Sequence, residues 1–347
     1  MSSVRLPPLP SMQDLIRLYQ LRARKQLSQN FLLDMNLTRK IVKSAGKLDG
    51  GFVCEVGPGP GGITRSLLNT GAHHVAVVEK DRRFLPSLQL LSEAAQGRLS
   101  IHSGDILSFN MENIIPENLA VPWDSAPPNI HIIGNLPFSV STPLIIMWLA
   151  AMSNQSGPWK FGRTKLTLTF QKEVAERMTA NILSKQRCRL SVMCQYLCKV
   201  DLKFVIPGRA FVPAPEVDVG VVHIVPRVQP LINLPFSLVE KVVRHIYHFR
   251  QKYIRRGIET LFPPDRLDLV EAMFEETNVR PEARSFQLSI EQVGRLCHAY
   301  NNICQHNADI YTYDYRSQEN ARQVRKKNQI QLEKFEAEIL GDIIPQS

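Results

Sequence analysis

The chain has 347 residues, 44% hydrophobic and 21% charged, with a net charge of +10. This composition excludes a disordered chain or a fibrous repeat, and the length suits two domains with ample apolar material for cores. The basic excess favours a polyanionic partner, nucleic acid ahead of an anionic membrane surface. The longest apolar run, 144-LIIMWLAAM-152, is too short to cross a bilayer and reads as a buried helix, so no membrane insertion is expected.

Residues 1–27 carry Arg5, Arg17, Arg22, Arg24 and Lys25 against a single acid, Asp14. Met12, Leu15, Ile16, Tyr19 and Ala23 fall at helical spacing. Such a basic amphipathic segment reads either as a mitochondrial targeting peptide or as a first helix packed on the domain.

From residue 52 to about residue 225 apolar strands alternate with helical stretches. Strands are expected at 52-FVCEVG-57, 75-VAVVEKD-81, within 98-RLSIHSGDIL-107, and at 130-IHIIG-134, 164-TKLTLTFQ-171, 201-DLKFVI-206 and 219-VGVVHIVP-226. Helices are expected at 62–69, 82–95, 172–181 and 189–200. This alternation predicts an α/β domain, a mainly parallel sheet with helices on both faces. The proline- and glycine-rich stretches 116–129 and 153–163 read as surface insertions, and 226-PRVQPLINLP-235 as a linker. Helices are then expected over 236–262, 265–277 and 289–303, followed by a charged tail from Arg316. The expected division is a basic segment 1–27, a catalytic domain 28–228, a helical RNA-binding domain 229–315 and a tail 316–347.

The six cysteines form no CxxC pair, so the common zinc and redox spacings are missing and a reducing compartment is expected. Cys194 and Cys198 share a helical spacing, but their surroundings read as core rather than metal site.

Between the first strand and its helix lies 55-EVGPGPGG-62, the strand–turn–helix context in which glycines let backbone approach a ligand. Glu79 ends the second strand, where a carboxylate can accept both ribose hydroxyls of an adenosine. Asp105 ends the third, where it can accept from an adenine amino group. The spacing is E-x-G-x-G-x-G, not the dinucleotide G-x-G-x-x-G. It favours S-adenosylmethionine over NAD or a flavin.

The segments 26-QLSQNFL-32, 55-EVGPGPGGIT-64, 79-EKD-81, 103-SGDIL-107, 134-GNLPF-138, 170-FQKEVAERM-178 and 211-FVPAPEVDVGVV-222 occur in this order. Together they resemble the rRNA adenine N6,N6-dimethyltransferase family, and within it the mitochondrial members. The resemblance implies a seven-stranded, Rossmann-like methyltransferase sheet with a smaller helical C-terminal domain. It implies S-adenosyl-L-methionine as cofactor and dimethylation of two adjacent adenines in a hairpin loop near the 3′ end of small-subunit (12S) rRNA. Location in the mitochondrial matrix, work on a pre-ribosomal particle and an accessory contact with the mitochondrial transcription machinery follow from the same resemblance. Carried over by position, the cofactor contacts fall on Asn30, Leu32, Gly57, Gly59, Glu79, Lys80, Asp105 and Asn135. Where the family often has V-D-S, this chain has 217-VDV-219, which removes a hydroxyl near the target-base loop.

Asn135, Leu136, Pro137 and Phe138 are the expected catalytic residues. The adenine amino nitrogen is a poor nucleophile because its lone pair is delocalised into the ring. Acceptors on its hydrogens, the Asn135 side-chain oxygen and the Leu136 carbonyl, would free that pair. Pro137 would fix the carbonyl direction, and Phe138 would offer a stacking face. This chemistry asks for proximity, with neither a metal nor a strong base. Phe211 reads either as a second wall for the base or as a core residue. Ser141, Thr142 and Pro143 read as the start of the next helix. In the long basic helix Arg250, Lys252, Arg255 and Arg256 are the expected RNA contacts, and the resemblance implies an RNA-contacting surface there and in the groove between the domains. Two rivals stay open at this point. One is a DNA adenine or protein glutamine methyltransferase with a related Asn-Pro-Pro-aromatic turn. The other is a binding protein without catalysis that acts in transcription.

Overall fold

The structure, a computed structural model, describes residues 6–21, 23, 29–317 and 329. The chain divides into two compact units at Phe236/Ser237. Arg5, Arg22, Arg24 and Lys25, and nearly all of the expected tail, lie outside the described residues.

The first unit begins with α1 (Met12–Leu18), whose Met12 and Leu15 are buried, so this part of the basic segment packs on the domain. Next come β1 (Phe31–Leu32), α2 (Met35–Ser44), β2 (Phe52–Val56), α3 (Gly62–Leu68), β3 (His74–Glu79), α4 (Leu85–Ala94) and β4 (Leu99–Ser103). Then follow β5 (Ile130–Gly134), α5 (Phe138–Ser153), β6 (Lys165–Gln171), α6 (Lys172–Thr179), α7 (Arg189–Leu197), β7 (Cys198–Ile206), β8 (Phe211–Val212) and β9 (Val219–Pro226).

Seven strands form one sheet in the order β4-β3-β2-β5-β6-β9-β7. β4 through β6 run parallel, and β9 is antiparallel to both β6 and β7. β2 and β5 are buried at every residue, as central parallel strands covered on both faces must be. β7, the last strand in the order, instead alternates, with Lys199, Asp201 and Lys203 outward. That pattern is one solvated face, and lysines discourage a further strand from pairing there. The helix expected to run to residue 200 therefore stops at Leu197, because Cys198 is already paired with Pro226 of β9. Cys194 and Cys198 thus belong to different elements.

The topology places a ligand crevice. β2 leads to β3 on one side, while β5, reached later in the chain, lies on its other side. Val56 pairs with Val78 and Gly134, so the two strands end level with each other. Ligands bind outside the carboxyl ends of strands at such a reversal of strand order. The proline-rich insertions are more than surface. Trp159 is buried against Trp148, and the Arg163 guanidinium donates to the carbonyls of Trp123, Ser125 and Pro226. The stretch expected as a linker is also tied down, with the Trp123 indole donating to the Val228 carbonyl at 3.0 Å.

The second unit contains α8 (Phe236–Ile246), α9 (Ile254–Ile258), α10 (Asp268–Thr277), α11 (Ile290–His306) and α12 (Ala308–Thr312). The single helix expected over 236–262 is therefore two. After Ile246 the chain turns, and Tyr253 and Ile254 bond to the stretch ending at Arg284 rather than continuing the helix. The turn lets Ile254 and Ile258 join the buried set that includes Val270, Met273, Leu296 and Tyr300.

Candidate active site

A cavity of about 600 Å³ opens at the ends of β2 and β5. Its lining includes Gln29–Leu32, the glycine turn after β2, the ends of β3 and β4, and Asn135–Val140. The turn is possible because Gly57, Gly59 and Gly61 adopt positive φ values of 66°, 53° and 93°, which residues with a side chain rarely take. Glu79 holds it in place. Its Oε2 accepts from the Gly59 N–H at 3.0 Å and its Oε1 from the Asp81 N–H at 2.7 Å. Burial raises the Glu79 pKa and these backbone bonds lower it, with burial the larger effect.

Glu55 lies deeper, 1% exposed, and takes a hydrogen bond from the Thr64 hydroxyl at 2.6 Å. Burial pushes its pKa up to about 8. In the sequence Glu55 stands out only by its spacing from the glycines, yet it lines the cavity. Asp105 accepts from the Lys80 ammonium at 2.7 Å and from the Leu107 N–H at 3.1 Å, and the Lys80 bond holds its pKa below the ordinary value. With Lys80 largely exposed the pair adds little stability. Its effect is to orient the carboxylate.

The segment Gln29–Leu32 crosses the cavity wall. Gln29 donates to Asp81 Oδ2 at 3.0 Å, and Asp81 is gripped by Arg83, which draws its pKa down to about 2. Phe31 and Leu32 pair antiparallel with Val212 and Phe211. Between these anchors the Asn30 carbonyl accepts from Asn135 Nδ2 at 3.1 Å. Gln29, Asp81 and Arg83 were not singled out in the sequence. Gln29 and Asp81 lie inside the 26-QLSQNFL-32 and 79-EKD-81 motifs, which were the available signal, and Arg83 lies two residues beyond the second.

Asn135 is half-buried just past β5. Its Oδ1 accepts from the Thr169 hydroxyl at 2.8 Å, which leaves one lone pair on the oxygen and one free amide hydrogen. Leu136 is buried against the glycine turn, where a Cβ on Gly57 would lie 3.3 Å from its Cδ2. Pro137 caps α5, its carbonyl accepting from the Val140 and Ser141 N–H groups. The helix therefore starts at Phe138, earlier than expected. Ser141 and Thr142 are inside it, and Pro143 is an interior proline. Phe138, half-buried, and Phe211, 2% exposed, both line the cavity, and Phe211 also belongs to the core cluster against which Phe138 packs. Val219 is buried at the start of β9, paired with Gln171 and Ile206.

In the second unit Arg250 and Lys252 are exposed in the turn between α8 and α9. Arg255 differs from the expectation of an available cation. It pairs with Glu259 at 3.1 Å and with Glu271 through both terminal nitrogens. The Arg256 side chain is 69% exposed, with Glu259 3.8 Å away. Among the described residues no group of three or more His, Cys, Asp or Glu side chains could hold a metal ion.

The donor set fits a nucleoside joined to an amino acid. The Glu79 carboxyl stands where it can accept from hydroxyls, and the glycine turn leaves room for close approach. The comparisons with known proteins agree with this chemistry. The family profile described as ribosomal RNA adenine dimethylase matches residues 20–302. A dimethyladenosine transferase 1, mitochondrial, of Xenopus tropicalis is 54% identical over 328 residues, covering 94% of this chain and 95% of that protein. The Homo sapiens protein of the same name is 54% identical over 330 residues, with 95% of each chain covered. Among solved structures, a dimethyladenosine transferase from Plasmodium falciparum superposes with a TM-score of 0.61 at 21% identity, covering 78% of this chain and 96% of that one. The 23S rRNA methyltransferase ErmE gives a TM-score of 0.55 at 24% identity, covering 78% of this chain and 100% of that one. These two share the fold. Profile, close relatives and site chemistry together mean that the chain belongs to the ribosomal RNA adenine dimethylase family, enzymes that use S-adenosylmethionine to dimethylate adenine in rRNA.

Proposed function

We propose that this chain dimethylates N6 of two adjacent adenines in a hairpin loop near the 3′ end of the mitochondrial small-subunit rRNA. It does so in the mitochondrial matrix, on the way to an assembled small subunit. The observation that carries the reading is the level ending of β2 and β5, which brings the glycine turn and Asn135–Phe138 onto one cavity. The names of the close relatives support the compartment.

When bound, S-adenosylmethionine supplies an electrophilic methyl group on sulfur, with the C–S bond breaking as the C–N bond forms. Glu79 would accept the ribose hydroxyls, Asp105 oriented by Lys80 would accept from the adenine amino group, and Gly57 and Gly59 would leave room for the amino-acid end. Asn30 and Leu32 would contribute to the wall that holds it. On the substrate side, the Asn135 Oδ1 and the Leu136 carbonyl accept the two N6 hydrogens of the target adenine. That withdraws the lone pair from the ring and stabilises positive charge as it develops on nitrogen. The proton then leaves to solvent. Phe138 carries the base face, a contact of about 1–3 kcal/mol. An unpaired loop base leaves its stack at least cost, which favours a hairpin substrate. Arg250, Lys252 and Arg256 supply phosphate contacts, and Arg255 holds the local structure through its carboxylate partners.

The test is labelled methyl transfer to a small-subunit rRNA hairpin by Asn135→Ala. Transfer should fall to background while RNA binding and the unfolding midpoint stay near those of the natural chain. Full dimethylation by the variant would overturn the assignment.

A further inference from the structure

We infer that Thr169 is a positioning residue for methyl transfer, its hydroxyl anchoring the Oδ1 end of the Asn135 carboxamide beside the adenine amino group. The inference rests on the role proposed for Asn135. A carboxamide is nearly symmetric in shape but not in chemistry, since a half-turn exchanges an acceptor for a donor. At this site the difference is decisive. The oxygen accepts an N6 hydrogen and frees the nitrogen lone pair. The amide NH2 in its place would donate to that same lone pair and block its attack on the methyl group.

Two neighbours set the orientation. The Asn30 carbonyl can only accept, so it requires Nδ2, and it receives it at 3.1 Å. Thr169 Oγ1 lies 2.8 Å from Oδ1 and donates to it. The two differ in how firmly they are held. Asn30 precedes a strand of only two residues, Phe31–Leu32. Thr169 is fully buried on β6, paired with Val221 of β9, inside the seven-stranded sheet. The Asn30 carbonyl, an acceptor only, selects the orientation, and the buried Thr169 hydroxyl anchors Oδ1 in it. The hydroxyl occupies one lone pair of Oδ1 and leaves the other for substrate. Thr167, two residues earlier on the same strand, spends its hydroxyl on His223 Nδ1 at 2.9 Å, so the two threonines of one strand face serve different partners.

The experiment compares Thr169→Val, which keeps the β-branched shape and removes the hydroxyl, with Thr169→Ser, which keeps the hydroxyl. Asn135→Ala is the reference. Methyl transfer to the rRNA hairpin is measured at saturating and limiting substrate, with S-adenosylhomocysteine binding and the unfolding midpoint followed alongside. Thr169→Val should lower kcat by about 10- to 100-fold, the penalty of a misoriented group at a reacting centre. Its KM values, S-adenosylhomocysteine affinity and unfolding midpoint should stay near those of the natural chain. Thr169→Ser should restore most of the rate. If the valine variant folds poorly, Thr169→Ala removes the hydroxyl without adding a methyl group and is judged by the same kcat and serine rescue. An unchanged kcat in the hydroxyl-less variant, or a serine variant as slow as it, overturns the inference. An inactive Asn135→Ala beside a fully active Thr169→Val refutes Thr169 alone, whereas an active Asn135→Ala refutes both readings.

Discussion

Replacing Glu55 with glutamine should stabilise the N-terminal unit at neutral pH and leave it unchanged in acid. Glu55 is 1% exposed on β2, and burial lifts its pKa from 4.5 to about 8, against the lowering effect of the Thr64 hydrogen bond and with a further push from the Glu79 charge. A carboxyl whose pKa is raised in the folded state favours that state while protonated. Its contribution is complete below pH 4.5 and is lost as the pH rises through about 8. Each pH unit in that window corresponds to about 1.4 kcal/mol, so between pH 4.5 and about pH 7.5 the natural chain loses on the order of 4 kcal/mol through this group. Glutamine keeps the neutral shape and can still accept from Thr64. The difference between the variant and the natural chain should therefore be near zero at the acid end and grow to about 4 kcal/mol at pH 7.5. His131 and His223, whose pKa values burial lowers to about 3 and about 4, contribute a slope of the opposite sign below pH 6.5. They do so in both proteins and cancel in the difference. All three tryptophans lie in the N-terminal unit, so their fluorescence during urea unfolding follows that unit alone. A difference that stays constant across the window, or a variant less stable at pH 7.5, would refute the assignment of a buried, proton-binding Glu55.

Gly257→Ala should destabilise the helical unit although alanine is the better helix former. An added Cβ would sit 2.3 Å from the His245 carbonyl oxygen, and overpacking of about 1–3 kcal/mol outweighs a propensity gain below ~1 kcal/mol. Faster amide exchange in α8 and α9 with unchanged tryptophan fluorescence is the expected signature, and slower exchange would contradict the close helix approach. Arg256→Glu should weaken hairpin binding and flatten its salt dependence by about one unit or more of log–log slope, with no change in stability. Arg255→Glu should instead loosen the unit by breaking its bonds to Glu259 and Glu271. A salt slope unchanged in Arg256→Glu would remove that residue from the RNA surface.

The sequence by itself determined the parts of this protein whose causes are local. The mainly apolar runs at 52–56 and 130–134, each with one polar residue, read as buried strands, and glycines at 57, 59 and 61 read as a tight turn when a strand precedes and a helix follows. Acids at successive strand ends then follow from the same alternation. The tertiary structure decided what depends on partners far along the chain. β7 begins at Cys198 because Pro226 is there to pair with it, and the long basic stretch breaks after Ile246 because Tyr253 and Ile254 find partners near residue 284. Nothing near Arg255 announces that Glu271 takes up its charge. The clearest case is Asn135, since its motif is legible in five residues but the direction of its amide is not. That direction depends on a carbonyl 105 residues before it and a hydroxyl 34 residues after it. A hydrogen bond has no preferred sequence separation, so only the fold could bring those three groups together.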